Sequence, residues 1–195
     1  MDHLIALVGF SFASTVTPGP NNILLWASGA SFGVRRTLPH VAGTALGIGA
    51  MALAVAAGSS AVVAAIPMLA TAMKLGGSAY LLYLAVQVTR AGAVKQASVA
   101  RPLGLLGAAG FQVLNPKAWI FAFGAVTTFR SPELPAVIGS AIVVLTMMVV
   151  TAPTALLWAA AGGAIERLIT GPRTRLLVSW SLAGLLVGTI VLVWI

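Results

Sequence analysis

The chain has 195 residues, of which 59% are hydrophobic and only 7% charged, with a formal net charge of +8. That composition leaves a soluble domain with more apolar surface than it can hide, and the basic residues, clustered in short gaps between spans, orient a membrane chain and require no nucleic acid. The lack of cysteine excludes disulfides, thiol catalysis and cysteine-ligated metals, and two histidines with three acids leave little for any metal, so no cofactor is expected.

No Asp, Glu, Lys or Arg occurs between Asp2 and Arg35, from Thr37 to Met73, from Leu134 to Ile165 or from Leu176 to Ile195. Each stretch exceeds the roughly 20 apolar residues that span hydrocarbon. Six spans are predicted near residues 4–30, 41–66, 68–89, 108–129, 136–161 and 176–195. Met1-Asp2-His3 lacks the basic start of a secretory signal, so the first stretch is expected to remain as a span. The stretch from Thr37 to Met73 is too long for one helix and divides at Ile66-Pro67, making spans two and three a tight hairpin with Lys74 snorkelling near the start of the third. The longest polar connection, Arg90 to Pro102, separates two halves, residues 1–97 and 98–195, of a single transmembrane domain. Arg35, Arg36, Arg90, Lys95, Arg101, Arg167, Arg173 and Arg175 fall in odd-numbered loops against Lys74 and Arg130 opposite, which places the odd loops in the cytoplasm and both termini outside. A re-entrant first span would instead move the N-terminus inside.

Two proline-interrupted segments, Thr17-Pro18-Gly19-Pro20-Asn21-Asn22 and Leu114-Asn115-Pro116-Lys117, lie half the chain apart. Paired breaks of this kind point to the binding site of a secondary transporter built from inverted repeats. In the first, the proline rings free carbonyls near Ser14 and Val16, which suit an ammonium group. In the second, Asn115 as N-cap, Pro116 at the first helical position and Lys117 next predict a half-helix whose positive end, with the lysine, forms an anion site. A zwitterionic amino acid needs both. Kinks are frequent in membrane helices, so each break alone says little; their pairing and a costly intramembrane lysine favour function. The substrate-binding candidates are Pro18, Gly19, Pro20, Asn21, Asn22, Asn115, Pro116 and Lys117.

These residues match a known pattern. Thr17-Pro18-Gly19-Pro20-Asn21, the stretch Lys74 to Gly77 with Tyr80-Leu81-Leu82-Tyr83-Leu84, and Leu114-Asn115-Pro116-Lys117-Ala118-Trp119 resemble the lysine exporter superfamily, including its homoserine/threonine (RhtB) branch, over nearly the whole chain. The resemblance implies a bacterial inner-membrane protein that exports amino acids or related small metabolites on the proton gradient. Many relatives carry an acid in the glycine-rich second span, where this chain reads Gly47-Ile48-Gly49-Ala50-Met51, and no predicted span contains Asp or Glu. Lys117 and His40 are then the candidate proton relay, His40 because an imidazole with an ordinary pKa of about 6.5 suits proton exchange. A histidine hydrogen-bonded at headgroup level is the commoner arrangement and the favoured reading for His40. Without an intramembrane acid there is no obvious countercharge for a cationic side chain, which tilts the substrate weakly toward neutral amino acids.

Thr151-Ala152-Pro153-Thr154 in span five is either a hinge whose Thr151, Pro153 and Thr154 line the path or a local kink, with equal weight. Gly29-x3-Gly33, Gly43-x3-Gly47 and Gly184-x3-Gly188 allow close helix approach, in a homodimer or sliding gate or, as favoured, within one chain. The expected fold is an all-α integral membrane protein, a six-helix bundle of two three-helix inverted repeats with helices one and four broken at proline. The expected function is secondary export of amino acids, the partners being the small-molecule substrate and the bilayer. The alternatives are a passive pore and a membrane assembly factor. An enzyme is disfavoured, because no Ser-His-Asp set, paired carboxylates or H-E-x-x-H motif is present.

Overall fold

The computed structural model describes residues 2–59, 102–168 and 171–194, with isolated helical positions between 71 and 89. The described residues form α-helices and no strand: α1 (Asp2–Val16), α2 (Pro20–Phe32), α3 (Val34–Ala54), α4 (Leu105–Leu114), α5 (Pro116–Phe129), α6 (Ala136–Leu168) and α7 (Pro172–Trp194). A π-helical turn, Val55–Ser59, follows α3, and Gly58 bends it at φ 88°. The expected Ile66-Pro67 break, Lys74 and the Arg90–Arg101 connection lie outside the described residues.

Large apolar side chains point outward from these helices, Leu106 at 83% exposure and Val137 at 81% among them. A soluble protein does not carry contiguous patches of that kind, whereas lipid tails solvate them. Two segments, Val34–Gly58 and Ala136–Ile165, are long and apolar enough to cross a membrane unaided. The expected first and fourth crossings are each split into two half-helices, as the proline positions predict.

Contacts fix the directions. Trp26 stacks near Trp158 at 6.0 Å, and Gly33 meets Arg167 in a cleft at the far end of the same helices, so α2 runs parallel to α6. Leu7 packs in one cluster with Val143, Val144 and Met147, so α1 also follows α6, and the two halves of the expected first broken crossing run in one direction. Phe10 packs on Phe121 and Phe129, while Lys117 reaches Thr17, so α5 runs antiparallel to α1. Gly43 abuts Leu105 and Gly47 abuts Ala109, which sets α4 alongside α3. The second broken crossing therefore runs opposite to the first. Arg167 shares its cleft with Gly33 and Val34, next to Arg35 and Arg36, while Arg130 borders Gly139 at the other end of α6. Among the described residues, Arg35, Arg36 and Arg167 thus lie at one end of the bundle and Arg130 at the other.

Glycine is used here for contact. A Cβ on Gly29 would overlap the Ala159 carbonyl, one on Gly162 the Trp26 carbonyl, and one on Gly43 the Leu105 carbonyl. Packing between backbones is what holds helices together where lipid removes the hydrophobic drive. Gly29 and the Gly43/Gly47 pair thus serve packing within the chain. Gly33 does something else: at φ 78° it joins α2 directly to α3.

Two boundaries differ from the sequence expectation. The second span starts at Val34, not near residue 41, because the Gly33 turn leaves no loop and Pro39 breaks only a hydrogen bond near the exposed start of α3. The fifth continues to Leu168 because Gly162 and Gly163, which read as helix breakers, are held in the helix by close contact with α2.

Candidate functional site

Pro20 opens α2 and Pro116 opens α5, each at a helix start where its missing N–H costs nothing and its φ is already helical. Pro20 is therefore the counterpart of Pro116, and Pro18 belongs to the connection before it. The residues ahead of both prolines are extended, Gly19 at φ −173° and Asn115 at φ −93°, as the proline ring demands.

The end of α1 gives up its carbonyls to side chains. The Thr17 hydroxyl donates to the Ser14 carbonyl at 3.1 Å, and Asn22 Nδ2 donates to the Thr15 carbonyl at 2.7 Å and the Thr17 carbonyl at 2.8 Å. Lys117 Nζ then donates to the Thr17 carbonyl at 2.6 Å, the Thr17 hydroxyl at 2.7 Å and the Pro18 carbonyl at 3.1 Å. The sequence reading set Lys117 aside for an anion and the carbonyls for a cation; the structure joins the two to each other. The reason is electrostatic. Lys117 sits in the first turn of α5, at the positive end of its own dipole, and the negative end of α1 is the nearest place for its charge.

Gly19 makes that reach available. A Cβ there would stand 2.9 Å from Lys117 Cδ and 3.2 Å from Nζ. Its extended backbone is open to any residue, so it is the lysine stem that requires glycine.

Asn21 is the second hub. Its Oδ1 accepts from Gln112 Nε2 at 2.9 Å and from the Thr44 hydroxyl at 3.2 Å, and His40 Nε2 stands 3.3 Å away. Thr44 shares its proton with the His40 carbonyl at 2.9 Å. An amide oxygen only accepts, so His40 carries its proton on Nε2. That leaves His40 Nδ1 as a bare acceptor, and it has no partner although His40 is only 1% exposed. His40 lies buried inside the bundle on α3.

Asn115 does not cap α5 with its side chain. Its Nδ2 turns back to Gln112 Oε1 at 3.2 Å, and its Oδ1 is buried without a partner. Trp119 closes the same break from outside, donating from Nε1 to the Val113 carbonyl at 2.9 Å; it does not border the cavity.

Between the breaks lies a cavity of about 40 Å³. On a scale where one water needs about 10–15 Å³, it holds a few waters and no amino acid. Gly19, Pro20, Asn21, Asn22, Asn115 and Lys117 line it, with Thr151 and Thr154 of α6 on the facing wall. The sequence candidates Pro18 and Pro116 shape the breaks from behind, and His40 stands behind Asn21. Pro153 is exposed on the far face of α6 and does not line the path; the Thr154 hydroxyl bonds the Val150 and Thr151 carbonyls. Thr151 Oγ1 is buried with no partner. Ser14, whose carbonyl the sequence singled out, lines the cavity too, and so do Thr15, Thr44 and Gln112, which were not foreseen. For Gln112 the signal was a lone amide within an apolar half-helix, and for Thr44 its place one turn after His40.

Among the described residues no carboxylate reaches this cavity and no cluster of metal-ligating groups occurs. The arrangement offers a cation on a tether, two helix starts, and several neutral donors and acceptors. It suits binding, with no nucleophile and base set for covalent chemistry.

Comparison with known proteins agrees in kind. The profile of the LysE type translocator family matches residues 12–193. The cysteine/O-acetylserine efflux protein of Klebsiella pneumoniae subsp. pneumoniae is 31% identical over 182 residues, covering 93% of this chain and 92% of its own length. The protein of the same name from Escherichia coli strain K12 is 29% identical over 168 residues, 85% of each chain. No solved structure matches the chain. With a family match across almost its whole length and a relative of nearly equal length, the chain belongs to the LysE type translocator family and is a transporter, not an enzyme.

Proposed function

We propose that this chain is a secondary carrier that exports small neutral amino acids across the bacterial inner membrane, driven by proton exchange. The observation that carries the reading is the cavity between the two breaks, where Lys117 and the positive ends of α2 and α5 supply the field for a carboxylate. The carbonyls ending α1 supply acceptors for an ammonium group. Neutral substrates are favoured because the lining is uncharged apart from Lys117 and offers a cationic side chain no partner. The relatives' names, cysteine and O-acetylserine efflux, point to side chains of that class.

The two broken crossings, opposed in direction, supply the moving parts. In our reading they are the cores of two inverted repeats, and rocking of one against the other opens the cavity to each side in turn. A space of about 40 Å³, too small for an amino acid, fits a carrier that must change shape to take its substrate. His40 is our candidate for the coupling proton, because its bare Nδ1 can accept one while Nε2 keeps its bond to Asn21 on the moving half-helix.

The test is efflux from cells loaded with dipeptides. Wild type is expected to release one or a few neutral amino acids faster than membranes lacking the chain, and Lys117→Ala to lose that increment. His40→Gln is expected to retain exchange of substrate for substrate but lose its response to an imposed pH gradient. Equal release with and without the chain, or release confined to lysine and arginine, would overturn the reading.

A further inference from the structure

The oxygens around Lys117 Nζ match a primary ammonium group in number and kind. Three N–H bonds meet three acceptors, the Thr17 carbonyl, the Thr17 hydroxyl and the Pro18 carbonyl, and no carboxylate takes part. The lysine stem crosses Gly19 on the cavity wall to reach them. An ammonium placed here from the substrate would find the same three bonds and the same helix end. Asn115 Oδ1 and Thr151 Oγ1, on residues that line the cavity beside Gly19 and Lys117, are buried without a partner, and buried polar atoms of that kind call for one.

Resting on the carrier reading above, we propose that these three oxygens are the seat of the substrate's α-ammonium group, and that Lys117 holds them as a tethered occupant. Substrate displaces the lysine, and the freed ammonium of Lys117 pairs with the substrate carboxylate. A zwitterion is needed for both halves of this exchange. An amine without a carboxylate gives the displaced lysine no partner, and a carboxylate without an amine leaves the seat bare. Lys117 is thus a latch as well as a ligand, closed over Gly19 until a molecule with both groups arrives.

The chain has no cysteine of its own, so single reporters read directly. Ala155→Cys sits buried on the cavity wall, and its rate of labelling by N-ethylmaleimide in membranes measures closure. Gly19→Ala keeps the lysine but pushes its stem aside, and Lys117→Met removes the occupant. Each is expected to raise labelling at least about tenfold, the scale of one lost charge-assisted hydrogen bond. In Lys117→Met, ethylammonium is expected to refill the seat and slow labelling, while tetramethylammonium, which has no N–H, does not. A second reporter, Ala159→Cys in the α2–α6 contact, is expected to stay slow throughout; where it does not, that variant has loosened the bundle and Gly19→Ala decides.

Unchanged labelling in Gly19→Ala, or a Lys117→Met protein indifferent to ethylammonium, would overturn the proposal. Either result with amino-acid efflux intact would remove the latch and leave the carrier. An ammonium response in a chain that moves no amino acid would do the reverse.

Discussion

The first break leaves Thr17, Pro18 and Gly19 outside helical structure, whereas the second leaves only Asn115. Both then restart on proline, and the second helical position is Asn21 in one and Lys117 in the other. The longer break presents the Thr17 and Pro18 carbonyls beside the cavity, and the shorter one delivers the cation that takes them. The same device, used twice in opposite directions, therefore presents acceptors on one side and a positive charge on the other. A pair of identical breaks would offer a zwitterion only half of what it needs. In the carrier we propose, that difference is what lets the site select a zwitterion.

That comparison can be broken most severely at Asn21. Asn21→Leu keeps the branched shape but removes the acceptor shared by Gln112, Thr44 and His40; Gln112 and Thr44 retain the Ala108 and His40 carbonyls, so His40 Nε2 is the donor left stranded, at about 1–3 kcal/mol. The expected outcome is a large fall in thermal stability in detergent together with loss of efflux. Next comes Gly162→Val, whose branch collides with the Trp26 carbonyl and forces α2 away from α6 at about 1–3 kcal/mol. Its melting temperature should drop and its efflux should slow without a change in substrate preference.

Thr151→Val sharpens the comparison instead. It removes a buried hydroxyl that has no partner, so stability should hold or rise by about 1 kcal/mol while efflux falls. A stability loss would show that the hydroxyl serves the fold. The smallest effect is expected from Pro153→Ala. Pro153 faces away from the cavity, so efflux should match wild type and stability should shift by no more than about 0.5 kcal/mol.

The sequence revealed the breaks because proline and an intramembrane lysine are costly in a bilayer and therefore visible. The crossings around them followed from runs without charge. Local chemistry could not show that Lys117 would turn toward Thr17, because that contact joins residues a hundred positions apart and depends on α1 and α5 lying antiparallel. The same holds for Gln112, which meets Asn21 across the bundle. Asn115 misled for a related reason: its position is that of a cap, but a nearby amide partner outbid the helix for its side chain. Pro153 drew attention as a residue type, yet it is the threonines beside it that face the cavity.

The most direct test is counterflow with the purified chain in liposomes. Vesicles preloaded with an unlabelled neutral amino acid should transiently accumulate the labelled form when wild type is present, and should accumulate none with Lys117→Met. Exchange at the wild-type rate by folded Lys117→Met would contradict the claim that the two breaks meet in one substrate site.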